Sequence, residues 1–250
     1  MINLKSKKQI ADMKHGGKIL REVADELVKK IKPGMTTLEI DVEAEKMILD
    51  RGATSSFKKV SGYNWTTCQP INEQAVHTIP SSQKLENEDV FTLDIGVYYA
   101  GLHTDYATTF VVGEKKDDKV QSFLRKGEST LLSAIKKIKA GVRMGVVSQY
   151  IQNEIEGAGY FILKDLTGHG IGKELHEDPY VLNYLDRPIE KTKKFASGLT
   201  IAVEIIYSMG TEEIAYEPGR KWSIITKDRS LSACFERSIA IEDEETFILT

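Results

Sequence analysis

The stretch Lys30-Ile31-Lys32-Pro33-Gly34-Met35 returns as Lys137-Ile138-Lys139-Ala140-Gly141-Val142, an offset of 107 (from 30 to 137). Its flanks return with it. At the same offset Ala24 falls on Leu131, Val28 on Ile135, Ile40 on Val147, Ala44 on Ile151, Ile48 on Ile155 and Gly52 on Gly159. In the first copy Ser6-x-x-Gln9 is a capping box. Behind it Ile10, Met13, Gly17, Leu20, Ala24, Leu27 and Ile31 recur at three and four, which is one buried helical face. Pro33-Gly34 stops that helix. Thr36-x-x-Glu39 opens the next, with Ile40, Ala44, Met47 and Ile48 inward and Gly52 as its stop. Helix, stop, helix and stop recur, so the chain reads as a duplicated helix–helix–strand unit. Two copies make a pseudo-twofold domain, not a solenoid. We expect a single domain over 1–250, with halves of about 6–112 and 118–250.

The strands after the helices carry acids. Asp89–Ile95 is an apolar run containing Asp94. Gly198–Ile205 is an apolar run containing Glu204, an offset of 110 (from 94 to 204). Asp105–Val112 and Glu236–Ile241 read as strands opened by an acid. A turn at Ala100-Gly101 would join the first two strands. Each half is thus expected to supply two helices and an acid-bearing antiparallel pair, an α+β fold. The charged stretches 113–119 and 186–194 read as solvated loops.

Composition narrows the function classes. A net charge of −3 and a pI of about 6.0 give no basic footprint for nucleic acid. Cys68 and Cys234 are too few for a disulfide framework. The N-terminus leads into a polar amphipathic segment with no apolar run, so a cytoplasmic protein without a membrane span is expected.

Burying an ionised carboxylate without a partner costs several kcal/mol. Asp94 sits in a strand with Phe91, Leu93 and Ile95; Glu204 sits between Val203 and Ile205. A Lys or Arg partner is the plain alternative at either site alone. Two halves that each aim two acids at a shared interface bring together Asp94, Asp105, Glu204 and Glu236, which repel unless cations lie between them. His169, framed by Gly168, Gly170 and Gly172, adds a nitrogen donor. Four oxygens and one nitrogen suit two divalent ions of the Mn, Fe, Co or Zn kind, with a bridging water acidified into a nucleophile.

The chain resembles type I methionine aminopeptidases of the bacterial short form, which have the pita-bread fold. The resemblance runs almost end to end. It is carried by Ile71-Asn72-Glu73, His77-Thr78-Ile79-Pro80, Leu93-Asp94-Ile95-Gly96, His103-Thr104-Asp105, Thr167-Gly168-His169-Gly170-Ile171-Gly172, His176-Glu177, Val203-Glu204, Thr226–Ser230 and Phe235-Glu236. It implies the five metal ligands Asp94, Asp105, His169, Glu204 and Glu236. It further implies that a metal-bridged hydroxide attacks the scissile carbonyl, with Glu204 as acid and base. His77 would stand near the scissile amide and His176 would bind its carbonyl. Tyr63, Cys68 and Trp222 would line the methionine pocket. The implied substrate is the N-terminal peptide of nascent proteins with a small second residue, and the ribosome is left open as a partner. The protein is expected to be a monomer.

His103, two residues before Asp105, is expected beside the metals without ligating them, and His15 in solvent. At the 107 offset His169 falls on Gly62, beside Tyr63. Three positions depart from the family's usual pattern: Ile205 where Pro is usual, Arg237 where His is usual, and Leu175 where an aromatic is common. A proline dipeptidase with the same ligands, or a pita-bread protein that binds peptide without catalysis, are the competing readings.

Overall fold

The structure is a computed structural model that describes residues 2–114, 117–243 and 245–250. Its helices are α1 (Lys7–Lys30), α2 (Thr37–Asp50), α3 (Asp118–Ile135) and α4 (Met144–Gly157). The strands of the first half are β1 (Thr54–Ser55), β2 (Thr67–Cys68), β3 (Gln74–Val76), β4 (Val90–Tyr99) and β5 (Leu102–Val111). In the second half are β6 (Phe161–Ile162), β7 (Gly168–Gly170), β8 (Glu177–Val181) and β9 (Thr200–Ser208). They are followed by β10 (Ile214–Tyr216), β11 (Ile224–Thr226), β12 (Ser232–Ile241) and β13 (Thr246–Ile248).

The duplication is visible residue by residue. The bounds of α2 shifted by 107 are those of α4, and β1 shifted by 107 is β6. Both expected capping boxes form, at Ser6 with Gln9 and at Thr36 with Glu39. The inward faces expected for α1 and α2 are the buried ones.

The main sheet runs β1-β4-β5-β12-β9-β7-β8, with β2 also on β4 and β6 also on β9. The order is symmetric about the β5–β12 seam. On one side α1 and α2 bury Leu20, Leu27, Ile40 and Ile48 with Phe91, Leu93 and Ile95 of β4. On the other α3 and α4 bury Phe123, Leu131 and Ile151 with Ile201, Val203 and Ile205 of β9. Helices therefore cover the odd-numbered residues of β4 and β9. The even-numbered ones, Asp94 and Glu204 among them, face the other way because side chains alternate along a strand.

The turn at Ala100-Gly101 is present. Both residues have positive φ, 50° and 84°, between the paired Tyr99 and Leu102. That is what a two-residue hairpin turn following the strand twist requires.

Four expectations are corrected. Asp105 and Glu236 do not open their strands. They lie inside β5 and β12, because the tight turn lets pairing begin at Leu102 and because Ser232–Phe235 already pairs with β9. The stretch 186–194 is more than a solvated loop. Thr192 Oγ1 accepts from Gly145 N at 3.1 Å and caps α4, whose own N-cap Arg143 makes no side-chain capping bond and instead donates to Thr192 O at 2.5 Å. In 113–119, Lys115 and Lys116 lie outside the described residues, and Asp117 caps α3 by accepting from Lys119 N at 2.8 Å. Finally, the partner of His169 across the pseudo-twofold is not in the Gly62 region. The strand that lies on β4 as β7 lies on β9 is β2. The first half has a longer connection before it, 56–66 against 163–167, so a single offset fails there.

Candidate metal centre and active site

One row across the sheet assembles the site. Cys68 of β2 pairs with Asp94 of β4, Asp94 with Ala107 of β5, Ala107 with Glu236 of β12, and Glu236 with Glu204 of β9. Residues directly opposite in a sheet stand about 5 Å apart with side chains on one face. Ala107 in the middle is the small residue that leaves space between Asp94 and Glu236. Asp105, two residues from Ala107, points to the same face. His169 pairs with Ala202, two residues from Glu204.

The five expected donors meet at one cavity of about 310 Å³, lined also by His77, His176, Tyr63, Cys68 and Trp222. All ten residues singled out in the sequence are therefore together. Asp105, His169 and Glu236 each offer a ligand atom within 4.8 Å of the others. His169 Nε2 stands 3.7 Å from Glu204 Oε1 and 3.9 Å from Glu236 Oε1.

Among the described residues no Lys or Arg forms an ion pair with any of the four carboxylates. The charge of neighbouring Arg237 lowers Glu236 only against larger raising effects. Burial raises Asp94 to about 7, against a hydrogen bond from the Cys68 thiol that lowers it. Burial and the charge of Asp94 raise Glu204 to about 8. Asp105 is raised well above the carboxylate range by burial, then by Asp94 and Glu204; Glu236 by burial, then by Asp105, Glu204 and Asp94. His169 is lowered to about 3 by burial and by His176. Its Nδ1 lies 2.9 Å from the carbonyl oxygen of Gly170. A carbonyl can only accept, so Nδ1 carries the proton and Nε2 keeps its lone pair toward the carboxylates. A lone pair and four acids on one cavity, three of the five donors converging within 4.8 Å, form a donor set that fits divalent cations.

The other two histidines are also neutral donors. Burial lowers His176; burial and the charge of His176 lower His77. The backbone of His77 has φ 59°, a left-handed conformation that a non-glycine residue adopts at some cost. Tyr63 turns its hydroxyl away, donating to Thr67 O at 2.7 Å, and stands edge-on to Trp222 with ring centroids 5.6 Å apart. Its ring is thereby wall and not acid.

Sequence reading missed part of the lining. Phe57, Val60, Val76 and Cys234 also face the cavity, whereas Leu175, the departure expected to affect the width of the pocket, is among its walls. The alternation of β12 carries a usable signal for Cys234, two residues from Glu236 on the same face. Phe57 and Val60 sit around a single 3-10 turn, Phe57–Lys59, which has no periodicity to read. His103 does not line the cavity. It is buried with Nδ1 2.6 Å from Ser56 Oγ. His15 is exposed and stacks on Tyr99.

A family model of metallopeptidase family M24 matches residues 11–248. This chain belongs to metallopeptidase family M24. Within the family it is 37% identical to a methionine aminopeptidase of Mycoplasma capricolum, over 100% of this chain and 98% of that protein. The solved methionine aminopeptidase of Thermotoga maritima superposes with a TM-score of 0.95 at 34% identity, covering 100% of this chain and 99% of that one. The M24 fold extends further: a prolidase of Pyrococcus horikoshii shares it with a TM-score of 0.79 at 21% identity, over 99% of this chain and 63% of that one. The pita-bread fold expected from the resemblance is thus the fold of this M24 member.

Proposed function

We propose that this chain is a methionine aminopeptidase, a hydrolase that removes the N-terminal methionine of nascent proteins whose second residue is small. The observation that carries the reading is the acid row and His169 forming the floor of an otherwise apolar cavity. Full-length likeness to proteins of that name supports it over the prolidase reading.

Asp94, Asp105, His169, Glu204 and Glu236 would hold two divalent ions (Mn, Fe, Co or Zn), which when bound supply Lewis acidity and an acidified water. Glu204, beside Glu236 and His169 at the end of the acid row, would be placed to take a proton from the attacking water and return it to the leaving amine. His176, neutral at working pH, donates to the scissile carbonyl oxygen as charge develops there. His77 steadies the amide nitrogen. Phe57, Tyr63, Cys68, Leu175 and Trp222 exclude water and take the thioether side chain.

The enzyme acts as one catalytic domain and as a monomer in the cytoplasm, with the ribosome as its source of substrate. Among the described residues no helix is long and apolar enough to cross a membrane. The test is release of free methionine from Met-Ala-Ser by metal-reconstituted protein. Release is expected with small second residues and not with bulky ones. Cleavage of Xaa-Pro dipeptides instead would overturn the reading.

A further inference from the structure

Lys5 belongs to no catalytic pattern in the sequence, yet its side chain is only 1% exposed. An ammonium that deep requires a partner. Its Nζ forms an ion pair with Glu177 Oε2, itself 7% exposed, and donates to Asn3 O at 2.9 Å. The second oxygen of Glu177 accepts from Glu174 N at 3.1 Å. Glu177 directly follows His176, so the ion pair closes the 172–177 turn at the residue next to a substrate contact. The far end of the turn is tied as well: Gly172 N donates to Glu174 O at 3.0 Å, and His103 N of β5 donates to Gly172 O at 2.7 Å. Lys5 is itself anchored, its N donating to Gly198 O at 2.6 Å just before β9.

Gly172 explains how the lysine fits. A Cβ placed there would overlap Lys5 Cε and stand 2.6 Å from Nζ. The backbone of Gly172 is not left-handed, so an alanine there would meet no conformational bar and would displace the flexible end of Lys5.

We propose that Lys5 is a positioning residue for the aminopeptidase reaction: by pairing with Glu177 in the space Gly172 leaves, it fixes the turn that presents His176 beside His169. The assignment rests on the role given to His176 above. No electron or proton is transferred through Lys5; it acts on geometry, and displacing a catalytic group by about 1 Å can cost on the order of a hundredfold in rate.

The experiment compares wild type, Lys5→Ala, Gly172→Ala and His176→Ala, and Lys5→Ala combined with His176→Ala, on Met-Ala-Ser. Mn²⁺ affinity is measured by titration of apoprotein, and the His176 ring resonances are followed in Zn²⁺-loaded protein. Gly172→Ala keeps the lysine but expels it, and serves if Lys5→Ala does not fold. Lys5→Ala and Gly172→Ala are each expected to lower kcat by about tenfold or more, with KM and the Mn²⁺ Kd within about threefold of wild type. Lys5→Ala is expected to cost nothing further once His176 is gone, and to move the His176 resonance. Wild-type kcat in both variants, an equal loss in the His176→Ala background, or an unmoved resonance would overturn the proposal. Inert wild-type protein would overturn the aminopeptidase reading alone, because the resonance still decides the part of Lys5.

Discussion

The imidazoles of His169 and His176 meet edge to face, with ring centroids 4.4 Å apart and planes inclined by 68°. They differ in what they face. Nε2 of His169 looks onto Glu204 and Glu236, whereas neither carboxylate forms an ion pair with His176 among the described residues. On the proposed reading, two histidines in contact divide into a metal ligand and a substrate contact, and that division can be measured.

His169→Ala removes the nitrogen donor and is expected to weaken divalent-metal binding by about tenfold to a hundredfold or more. His176→Ala is expected to keep the metal and lose about a hundredfold or more in kcat, as for loss of one oxyanion donor. Calorimetric titration alongside Met-Ala-Ser hydrolysis separates the two. Equal metal affinity in both variants would refute the division.

Glu204→Gln keeps the shape and removes the proton acceptor. A loss in kcat on the order of a hundredfold to ten-thousandfold is expected, at metal occupancy confirmed by mass spectrometry. Undiminished kcat in metal-loaded protein would rule out an acid–base role.

Metal-free protein should lose stability as pH rises. Asp94 and Glu204 have folded values raised to about 7 and about 8. Raised acids bind protons more tightly in the folded state, so the stability they contribute is complete below about pH 4. It is lost as pH climbs through about 7 and 8. A change of 1 kcal/mol moves the thermal midpoint of a chain this size by about 2–4 °C. Thermal melts of apoprotein from pH 5 to pH 8.5 should show a falling midpoint, and added Mn²⁺ should restore most at the alkaline end. A midpoint that rises with pH would contradict the raised values.

Leu175 lines the cavity at the position where an aromatic is commoner. Leu175→Ala should admit bulkier N-terminal residues. The kcat/KM ratio of Phe-Ala-Ser to Met-Ala-Ser is expected to rise about tenfold or more, the usual worth of a changed apolar wall. An unchanged ratio would place specificity elsewhere.

Arg237, where the family usually has His, lies on the helix side of the sheet behind Glu236. Its guanidinium stands 4.3 Å from the Tyr106 ring and donates to the carbonyl oxygens of Ala107 at 3.2 Å and Glu236 at 2.7 Å. Arg237→Ala forfeits the stacking and removes one donor from each carbonyl, so a loss of about 2–4 kcal/mol in urea unfolding is expected. Nothing in the structure assigns a consequence to Ile205 beyond its place in the buried face of β9.

Local pattern by itself determined the helices, the capping boxes of α1 and α2 and the hairpin at Ala100-Gly101, because each rests on neighbours within a few residues; the recurrence at an offset of 107 exposed the duplication. It also exposed the acids, since Asp94 and Glu204 break apolar runs whose burial forces them to find compensation. What only the tertiary structure decided is the seam where β5 meets β12. That pairing puts Glu236 opposite Ala107 and so closes the row from Asp94 to Glu204, with the partners more than a hundred residues apart in sequence. Strand register across such a separation is set by how both halves bury their helix-facing sides at once, which no single stretch encodes. The same holds for Lys5, whose place beside Glu177 follows from where the N-terminal segment lies on the second half, and for the true counterpart of His169, displaced from Gly62 by a longer connection in the first half.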